Sequence, residues 1–327
     1  MPHGLLSEAE RLGLAGVRAA LATVIRTSGS VPRKPPAKMI VRADGAIAGT
    51  IGGGRIEKEV IEAALPVARG TAPAVRLEKH LVQDLAMCCG GRMELWIEPL
   101  DGARWKAMGE AARRRARRRP SALVTELGGP GGGGKDLAAA DDCLLTRRVR
   151  LSDTRFVEPV LPADRLVLFG AGHVAHAVAR VGAGVGFERV VADEAEDWAT
   201  ADRFPAALLC HSYDPRDVDR DAGPLAAGDF VLIMTRDHAV DQAILEALLP
   251  RAPELAYLGL IGSTGKVGRF RKRLEAKGIF TEDRWARLHA PVGLDIGAET
   301  PEEIAVAIVA ELVRVRARGA GGGAGAP

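Results

Sequence analysis

The sequence predicts an α/β protein with an N-terminal α+β domain followed by a Rossmann-like domain that contains a doubly wound parallel sheet. Three observations predict this architecture. Apolar strand segments alternate with amphipathic helical segments throughout the second half of the chain. The first of these strands runs directly into a G-x-G-x-x-A motif. A glycine-rich stretch, residues 128–134, separates this half from a first half that carries a hairpin signal.

The first half is expected to combine strands and helices. Asp44-Gly45 is a strong turn signal between two short apolar runs, which predicts a hairpin. Strands are predicted over residues 20–26, 38–42, 46–51 and 93–97. Helices are predicted over residues 55–67 and 101–119.

The second half is expected to form the parallel sheet with its crossover helices. Its last helix has well-marked ends, because Thr300 and Glu303 form a capping box around Pro301 and Gly319 follows a run of arginines. The predicted strands are residues 165–169, 188–192, 206–209, 230–234 and 256–261. We therefore expect domains at residues 1–127 and 163–318, a connecting segment at residues 128–162 and a flexible tail at residues 319–327.

Composition limits the class of protein. The 327 residues carry a net charge of +3, which indicates no general field for nucleic acid. Four cysteines are too few for a disulfide framework, and no uncharged apolar run reaches the roughly 18 residues of a membrane span. A basic run at residues 113–119 favours a solvated helix end over a phosphate or nucleic-acid site, because no aromatic residue is interleaved with it. A cytoplasmic protein without membrane or nucleic-acid partners is expected.

The G-x-G-x-x-A motif predicts a nucleotide-binding loop. Gly170 allows the tight turn, Gly172 lets a phosphate approach the backbone, and Ala175 keeps helix and strand close. Asp193 follows the next strand, where a carboxylate can bind ribose hydroxyls. The alternative is a Rossmann fold whose pocket is unused.

A second glycine-rich loop precedes the helix at residues 55–67. Gly52, Gly53 and Gly54 permit positive φ and close backbone approach, so that their N–H groups and the helix start can form an anion cradle. Ser30 and Arg33 can add polar contacts from the loop after the first strand. The alternative is a tight turn that merely packs well.

Two adjacent cysteines precede the strand at residues 93–97. Neighbours such as Cys88 and Cys89 rarely pair with each other. The remaining cysteines, Cys143 and Cys210, have no C-x-x-C partner, so a structural zinc site is not expected. A thiolate beside Gly90, Gly91 and an arginine can have a lowered pKa and act as a soft-metal ligand or sulfur carrier. The alternative is one buried and one incidental cysteine.

Polar residues follow several strands of the second half. In a doubly wound sheet these carboxyl ends meet at one crevice, where ligands bind. His173 and His238 could face each other there as a metal pair, but plain capping and turn bonds are the favoured explanation. The candidate residues at these ends are Thr235, His238, Gly262 and Ser263.

The combination of these motifs resembles the XdhC/CoxI family of xanthine dehydrogenase accessory proteins. The resemblance covers nearly the whole chain, from about residue 22 to 315. Its marks, in order, are Gly29-Ser30-Val31-Pro32-Arg33, Lys38-Met39, Gly49-Thr50-Ile51-Gly52-Gly53-Gly54 with Glu57, Cys89-Gly90-Gly91, Phe169-Gly170-Ala171-Gly172-His173-Val174, Arg203-Phe204-Pro205, Thr235-Arg236-Asp237-His238 with Asp241, Gly259-Leu260-Ile261-Gly262-Ser263 with Lys266, and residues 291–303.

The resemblance implies a cofactor chaperone rather than an enzyme. Such a protein binds the molybdenum cofactor, a molybdopterin that can carry a nucleotide, and protects it while its terminal oxo ligand is replaced by sulfur. It then delivers the cofactor to xanthine dehydrogenase or a related molybdenum hydroxylase. The implied partners also include a cysteine desulfurase as sulfur donor, and a homodimer is compatible with this role. Gly52, Gly53 and Gly54 are assigned to cofactor contact, and Cys89 to the molybdenum or its sulfido ligand.

Three departures from the family pattern affect these expectations. Pro36 stands where the family usually has Gly, and Ala195 stands where it tends to have Arg. Cys88 directly precedes the expected Cys89, so either thiol can be the functional one. An NAD(P)-dependent oxidoreductase and a pure docking protein are the competing functions, although no Tyr-x-x-x-Lys proton relay is present for the former.

Overall fold

A computed structural model of the chain describes residues 3–85, 90–128, 133–139, 141–211, 214, 218–219, 224–226 and 228–319. The chain divides into two compact units, Met1–Pro162 and Ala163–Pro327. In the described residues, no helix has the length and apolarity needed to cross a bilayer.

The N-terminal unit contains two antiparallel sheets and four helices among its described residues. In chain order its elements are α1 His3–Leu14, β1 Ala19–Ser28, β2 Lys38–Arg42, β3 Ile47–Gly49, α2 Gly54–Arg69, β4 Val75–His80, β5 Arg92–Pro99, α3 Gly102–Ala116, β6 Ser121–Glu126, β7 Lys135–Ala138, α4 Asp142–Thr146, β8 Arg150–Leu151 and β9 Arg155–Val160. The larger sheet has the order β3-β2-β1-β5-β4, and the smaller has the order β7-β6-β9-β8. The predicted hairpin is present, since β2 and β3 pair antiparallel on either side of Asp44-Gly45.

The smaller sheet departs from the expected connecting segment at residues 128–162. Strands β7, β8 and β9 all lie in that segment and join β6 in one sheet of the N-terminal unit. These strands are short, and β7 begins with Lys135-Asp136, so no run of alternating apolar residues marks them in the sequence. The segment is therefore part of a folded unit.

Buried ion pairs connect the two sheets of the N-terminal unit. Lys38 on β2 lies 2.7 Å from Glu158 on β9, and Lys135 on β7 lies 2.9 Å from Glu98 on β5. All four side chains are fully buried, and burial lowers the pKa of Lys38 despite the Glu158 carboxylate beside it. Breaking a buried pair by removing one partner typically costs about 3–5 kcal/mol, so these pairs fix how the sheets meet.

The C-terminal unit contains a six-stranded sheet in which every neighbouring pair is parallel. Its elements are β10 Arg165–Phe169, α5 His173–Gly184, β11 Glu188–Ala192, β12 Leu208–Cys210, β13 Asp229–Ile233, α6 His238–Leu248, a 3₁₀ helix at Leu249–Glu254, β14 Tyr257–Leu260, α7 Thr264–Ala276, α8 Glu282–Trp285, β15 Leu288–His289 and α9 Pro301–Gly319. The order β12-β11-β10-β13-β14-β15 is that of a Rossmann sheet, with the chain switching direction between β10 and β13. The predicted doubly wound parallel sheet is confirmed.

Both faces of this sheet are covered by helices. Val167 and Phe169 pack into one core cluster with Ile244 of α6. Leu166 and Leu168 point to the opposite face and pack into a second cluster, which includes Ile308 of α9. A strand that is buried on both sides needs apolar residues at every position, which explains the continuous apolar run that predicted it.

The start of α9 confirms the predicted capping box. The Glu303 carboxylate accepts the Thr300 amide hydrogen at 3.0 Å, and the Thr300 hydroxyl accepts the Glu303 amide hydrogen at 3.3 Å. Both bonds are local in sequence, and for that reason the helix start was predictable.

Candidate functional site

The three predicted binding segments of the N-terminal unit lie against one another. They are the loop after β1, the glycine loop before α2 and the turn before β5. A Cβ atom on Gly52 would lie 2.6 Å from the Pro32 ring, and one on Gly29 would lie 3.1 Å from the Cα of Gly91. The backbone can approach these neighbours so closely only because positions 29 and 52 are glycine. The sequence motifs therefore converge at one place.

The side chain of Glu57 fills the cradle of the glycine loop. Its Oε2 atom accepts hydrogen bonds from the Thr50 hydroxyl at 2.8 Å, the Gly53 amide at 2.9 Å and the Ile51 amide at 3.2 Å. The Gly52 amide donates to the Thr50 hydroxyl at 3.1 Å. The loop is an anion-binding nest, and the chain's own carboxylate occupies it.

The environment of Glu57 favours its charged form. Burial alone would raise the pKa of this carboxyl, but the hydrogen bonds from Thr50 and the loop amides outweigh burial and hold the pKa below its ordinary value. The sequence motifs marked Glu57 only as part of the family pattern. Its position in the first turn of α2, just after three glycines, is the signal that could have identified it as an acceptor for the loop amides.

The outer side of these loops is accessible. Ser30 and Arg33 are exposed, Gly54 is exposed, and Gly52 and Gly53 are half-buried. No described atom lies within 4 Å of the position that a Cβ on Gly53 would take. A flat or polar ligand can therefore approach the backbone at Gly53 from outside.

Cys88 and Cys89 lie outside the described residues, so their predicted roles stay predictions. Described residues on both sides of them contact the predicted binding loops. The Arg55 guanidinium, at the start of α2, donates to the carbonyl of Leu85 at 3.1 Å. Gly91 packs against the loop after β1, and its carbonyl accepts the Leu81 amide hydrogen at 3.0 Å. Leu85 is thus held next to the glycine loop, and Gly91 is held next to the loop after β1.

The Rossmann loop of the C-terminal unit has the predicted strand–loop–helix geometry. Gly170 has φ 117°, and a Cβ there would lie 2.8 Å from the carbonyl carbon of Met234 at the end of β13. Gly172 is the N-cap of α5 and gives it no side-chain cap, and Ala175 is buried behind it. Because Gly170 has no Cβ, the β10 and β13 ends can approach at the switch point of the sheet.

Asp193 supports this loop from the neighbouring strand. Its Oδ2 atom accepts the Ala171 amide hydrogen at 2.7 Å and its Oδ1 atom accepts the Ala195 amide hydrogen at 2.9 Å. The residue is only 5 % exposed. Through these contacts the carboxylate stabilises the loop. Its predicted contact with ribose hydroxyls stays a prediction.

A cleft of about 330 Å³ opens at the switch point and brings Asp193 and Thr235 together. Arg236 also lines it, with its guanidinium 3.8 Å from Asp193 and 5.2 Å from the centre of the Trp198 ring. His173 contacts the same ring edge-on at 5.3 Å. The exposed Glu194, which lines the cleft, and Trp198, which contacts Arg236, are residues that the sequence motifs did not include.

A buried ion pair connects α6 and α7, the helices that follow β13 and β14. Asp241 accepts the amide and hydroxyl hydrogens of Thr235 at 3.0 and 2.7 Å, and Lys266 donates to it at 2.5 Å. A Cβ on Gly262 would lie 2.6 Å from the Lys266 side chain. Ser263 caps α7 by accepting the Lys266 amide hydrogen at 3.3 Å. Thr235, Gly262 and Ser263 thus shape the edge of the sheet through contacts within the chain.

The predicted pairing of His173 and His238 at a metal stays a prediction. His238 is exposed at the first position of α6, whereas His173 contacts Trp198. Across the part of the chain that the structure describes, no group of three or more His, Cys, Asp or Glu side chains could hold a metal ion.

Fold and site together define an α/β protein of two units, one with a glycine-loop site and one with a Rossmann sheet. Residues 166–312 match the model of the XdhC Rossmann domain, and residues 14–78 match the model of the XdhC and CoxI family. The chain belongs to the XdhC and CoxI family, as its resemblance predicted.

Individual relatives agree with this assignment. A probable xanthine dehydrogenase subunit of Bacillus subtilis is 26% identical over 316 residues, which cover 90% of this chain and 92% of that protein. The uncharacterized protein YqeB of Escherichia coli is 31% identical over 314 residues, 95% of this chain, but the chain spans only 46% of that protein's length. A crystal structure described as a xanthine dehydrogenase from Bacillus halodurans matches with a TM-score of 0.82 and 26% identity over 97% of each chain.

Proposed function

We propose that this protein is a maturation factor that binds the molybdenum cofactor, supports its sulfuration and delivers it to xanthine dehydrogenase or a related molybdenum hydroxylase. One observation carries the proposal: the loop after β1 lies against both the glycine loop and Gly91, and Cys88-Cys89 directly precedes Gly90-Gly91 in the sequence. The names of the similar proteins, which refer to xanthine dehydrogenase, support the choice of target.

The residues of the N-terminal unit suit a flat ligand that carries a phosphate. The open space over Gly53 accepts a planar ring at the backbone. Because Glu57 already takes the amide hydrogens of Ile51 and Gly53, we assign the phosphate to the exposed Arg33 and Ser30 instead of the cradle. A guanidinium can bind phosphate through two parallel hydrogen bonds.

Cys89 is the residue that we assign to the metal end of the cofactor. When bound, the cofactor supplies a molybdenum whose terminal oxo ligand must be exchanged for sulfur, and a soft thiolate is a suitable neighbour for either the metal or the sulfur. A cysteine desulfurase is the proposed sulfur donor. A homodimer would let one protein contact donor and target together, and it is part of the same proposal.

The proposal is tested by purifying the protein from cells that make molybdopterin and assaying oxidised pterin by fluorescence. The wild type is expected to carry pterin. Cys89→Ala is expected to lower bound molybdenum and target activation, while Cys88→Ala is the matched control and should retain both. Wild type without pterin, under conditions that load the target enzyme, would contradict the proposal. If only Cys88→Ala loses molybdenum, the assignment to Cys89 is wrong.

A nucleotide-binding role for the Rossmann unit is the second candidate. It is favoured by the start of α5, where Gly172 provides no side-chain cap, next to the cleft at the switch point. Titration with NADH tests this role. Micromolar affinity with hydride transfer would favour an NAD(P)-dependent oxidoreductase, whereas binding without turnover would favour a regulatory site.

A further inference from the structure

A large cleft in the N-terminal unit is separate from the glycine loops. It has a volume of about 800 Å³ and lies between the end of α3 and α4. Three guanidinium side chains line it, those of Arg114, Arg118 and Arg119. Pro120 and Leu161 contribute apolar surface. Charged residues and apolar residues both line the cleft, and its volume lies in the range of small-molecule sites.

The arginines at residues 113–119 fall into two sets: one is held by contacts within the fold, and the other lines the cleft. Arg113 is held by the fold, because its guanidinium contacts Glu10 at 2.7 Å and Glu110 at 3.1 Å. Arg114 faces the cleft, donates to the Pro120 carbonyl only at a long 3.4 Å, and has a buried Nε with no hydrogen-bond partner among the described residues. Arg119 lines the cleft and is exposed. The exposed Arg119 guanidinium and the weakly bonded end of Arg114 therefore provide donors on the cleft side of the run.

The backbone after α3 directs the run towards the cleft. Arg118 has φ 55°, a left-handed conformation that costs a non-glycine residue about 1–2 kcal/mol. The amide hydrogens of Arg118 and Arg119 still bond back to the carbonyls of Arg115 and Arg114, so the turn is well formed. Arg119 and Pro120 follow this turn directly and line the cleft.

The acidic residues of the cleft are already engaged. Asp141 accepts the Cys143 amide hydrogen at 2.8 Å as the N-cap of α4 and lies 3.2 Å from Arg150. Asp142 lies 3.6 Å from the same guanidinium. Arg150 thus offsets the two carboxylates, and the positive charge of the opposite wall favours an anionic ligand.

We propose that this cleft binds a phosphate monoester that carries a heterocyclic body of nucleotide size. Guanidinium groups recognise phosphate by charge-assisted, paired hydrogen bonds. A phosphate ion alone would leave most of the cleft empty, and the walls formed by Pro120, Leu144 and Leu161 suit an uncharged ring. No aromatic side chain lines the cleft in the described part of the unit, so the ring is held by aliphatic contacts. This site stands independently of the proposed cofactor site at the glycine loops.

The experiment is a calorimetric titration of the full chain with GMP, guanosine and inorganic phosphate. GMP is expected to bind at least about tenfold more tightly than either of its parts, since only GMP uses both the arginines and the apolar wall. Arg119→Glu should weaken GMP binding about tenfold or more. Arg114→Leu should also lower the affinity for GMP.

Arg117→Glu is the matched control, because it makes the same charge change in the same run at a residue that does not line the cleft. It should leave the affinity within about twofold. The proposal is overturned if GMP does not bind at millimolar concentration, if phosphate alone binds as tightly as GMP, or if Arg117→Glu weakens binding as much as Arg119→Glu. An affinity unchanged by Arg119→Glu would place GMP elsewhere, at the Rossmann cleft for example, and would also overturn it.

Discussion

The two glycine loops of this protein look alike in sequence but use their backbone donors differently. Each loop follows a strand, precedes a helix and gives at least one amide hydrogen to a carboxylate of the chain. In the N-terminal loop that carboxylate, Glu57, comes from the helix that follows and takes three donors with one oxygen. In the Rossmann loop the carboxylate is that of Asp193, which follows the neighbouring strand. It accepts the amide hydrogen of Ala171 in the loop.

This difference shows that a glycine motif predicts the path of the backbone better than it predicts a free anion site. In the N-terminal loop the internal carboxylate occupies the cradle, so the proposed ligand would meet the outer side of the loop near Gly53 and Arg33. In the Rossmann loop the start of α5 has no side-chain cap and can still attract an anion. The location of the internal carboxylate therefore decides which side of each loop can bind.

The largest expected loss of folding stability comes from a substitution in the Rossmann loop. Gly170→Ala should destabilise the C-terminal unit by about 3 kcal/mol or more, since the new Cβ would overlap the backbone at Met234 and the position has φ 117°. Urea unfolding followed by tryptophan fluorescence measures the change. Gly172→Ala is the control, because no described atom lies within 4 Å of its Cβ position, and its effect should stay below about 1 kcal/mol. Equal effects at the two glycines would contradict the close approach at the switch point.

The second largest loss of folding stability is expected from a substitution in the N-terminal glycine loop. Glu57→Ala should cost about 2 kcal/mol, because it leaves the half-buried donors of Thr50, Ile51 and Gly53 without their acceptor. The emptied nest should then bind a small anion, so millimolar formate should raise the melting temperature of the variant but not of the wild type. Glu59→Ala, on the same helix, is the control for added formate. If formate stabilises Glu59→Ala and Glu57→Ala equally, the cradle is not an anion nest.

How much of this could be predicted from the sequence depends on how local the interactions are. The hairpin at Asp44-Gly45, the capping box at Thr300 and the turn at Gly170 rest on neighbouring residues, and all three were predictable. The meeting of the β1 loop with Gly91 joins residues about sixty positions apart, so no sequence pattern signals it. The smaller sheet was missed because buried charges such as Lys135 and Glu158 interrupt its apolar pattern.

A smaller effect should follow from Asp193→Asn. The amide keeps one acceptor oxygen, but its NH₂ group faces one of the two backbone amides that the carboxylate now accepts. We expect a loss of about 1–2 kcal/mol in unfolding free energy. Denaturant titration measures it, and Glu194→Gln, at the exposed neighbouring position, is the control with little effect. A loss below about 0.5 kcal/mol would mean that Asp193 does not hold the Rossmann loop.

The smallest effect concerns pH. The pKa of Glu57 is lowered in the folded state, so its stabilising contribution is present above the ordinary glutamate pKa and is lost as the pH falls through the lowered value. The stability difference between wild type and Glu57→Gln should therefore be largest at neutral pH and shrink below about pH 4.5. Melting temperatures across this range measure it. A difference that grows on acidification would have the wrong sign for a hydrogen-bonded carboxylate.

The central claim is that the N-terminal loops, rather than the Rossmann cleft, hold the molybdenum cofactor. The most direct test is the pterin content per chain of Arg33→Glu and Arg236→Glu, both purified from cells that make molybdopterin. Both arginines are exposed, so each variant should fold, and both carry the same charge change. The account predicts that Arg33→Glu loses most of the bound pterin while Arg236→Glu keeps the wild-type amount. Pterin lost from Arg236→Glu and retained by Arg33→Glu would contradict it.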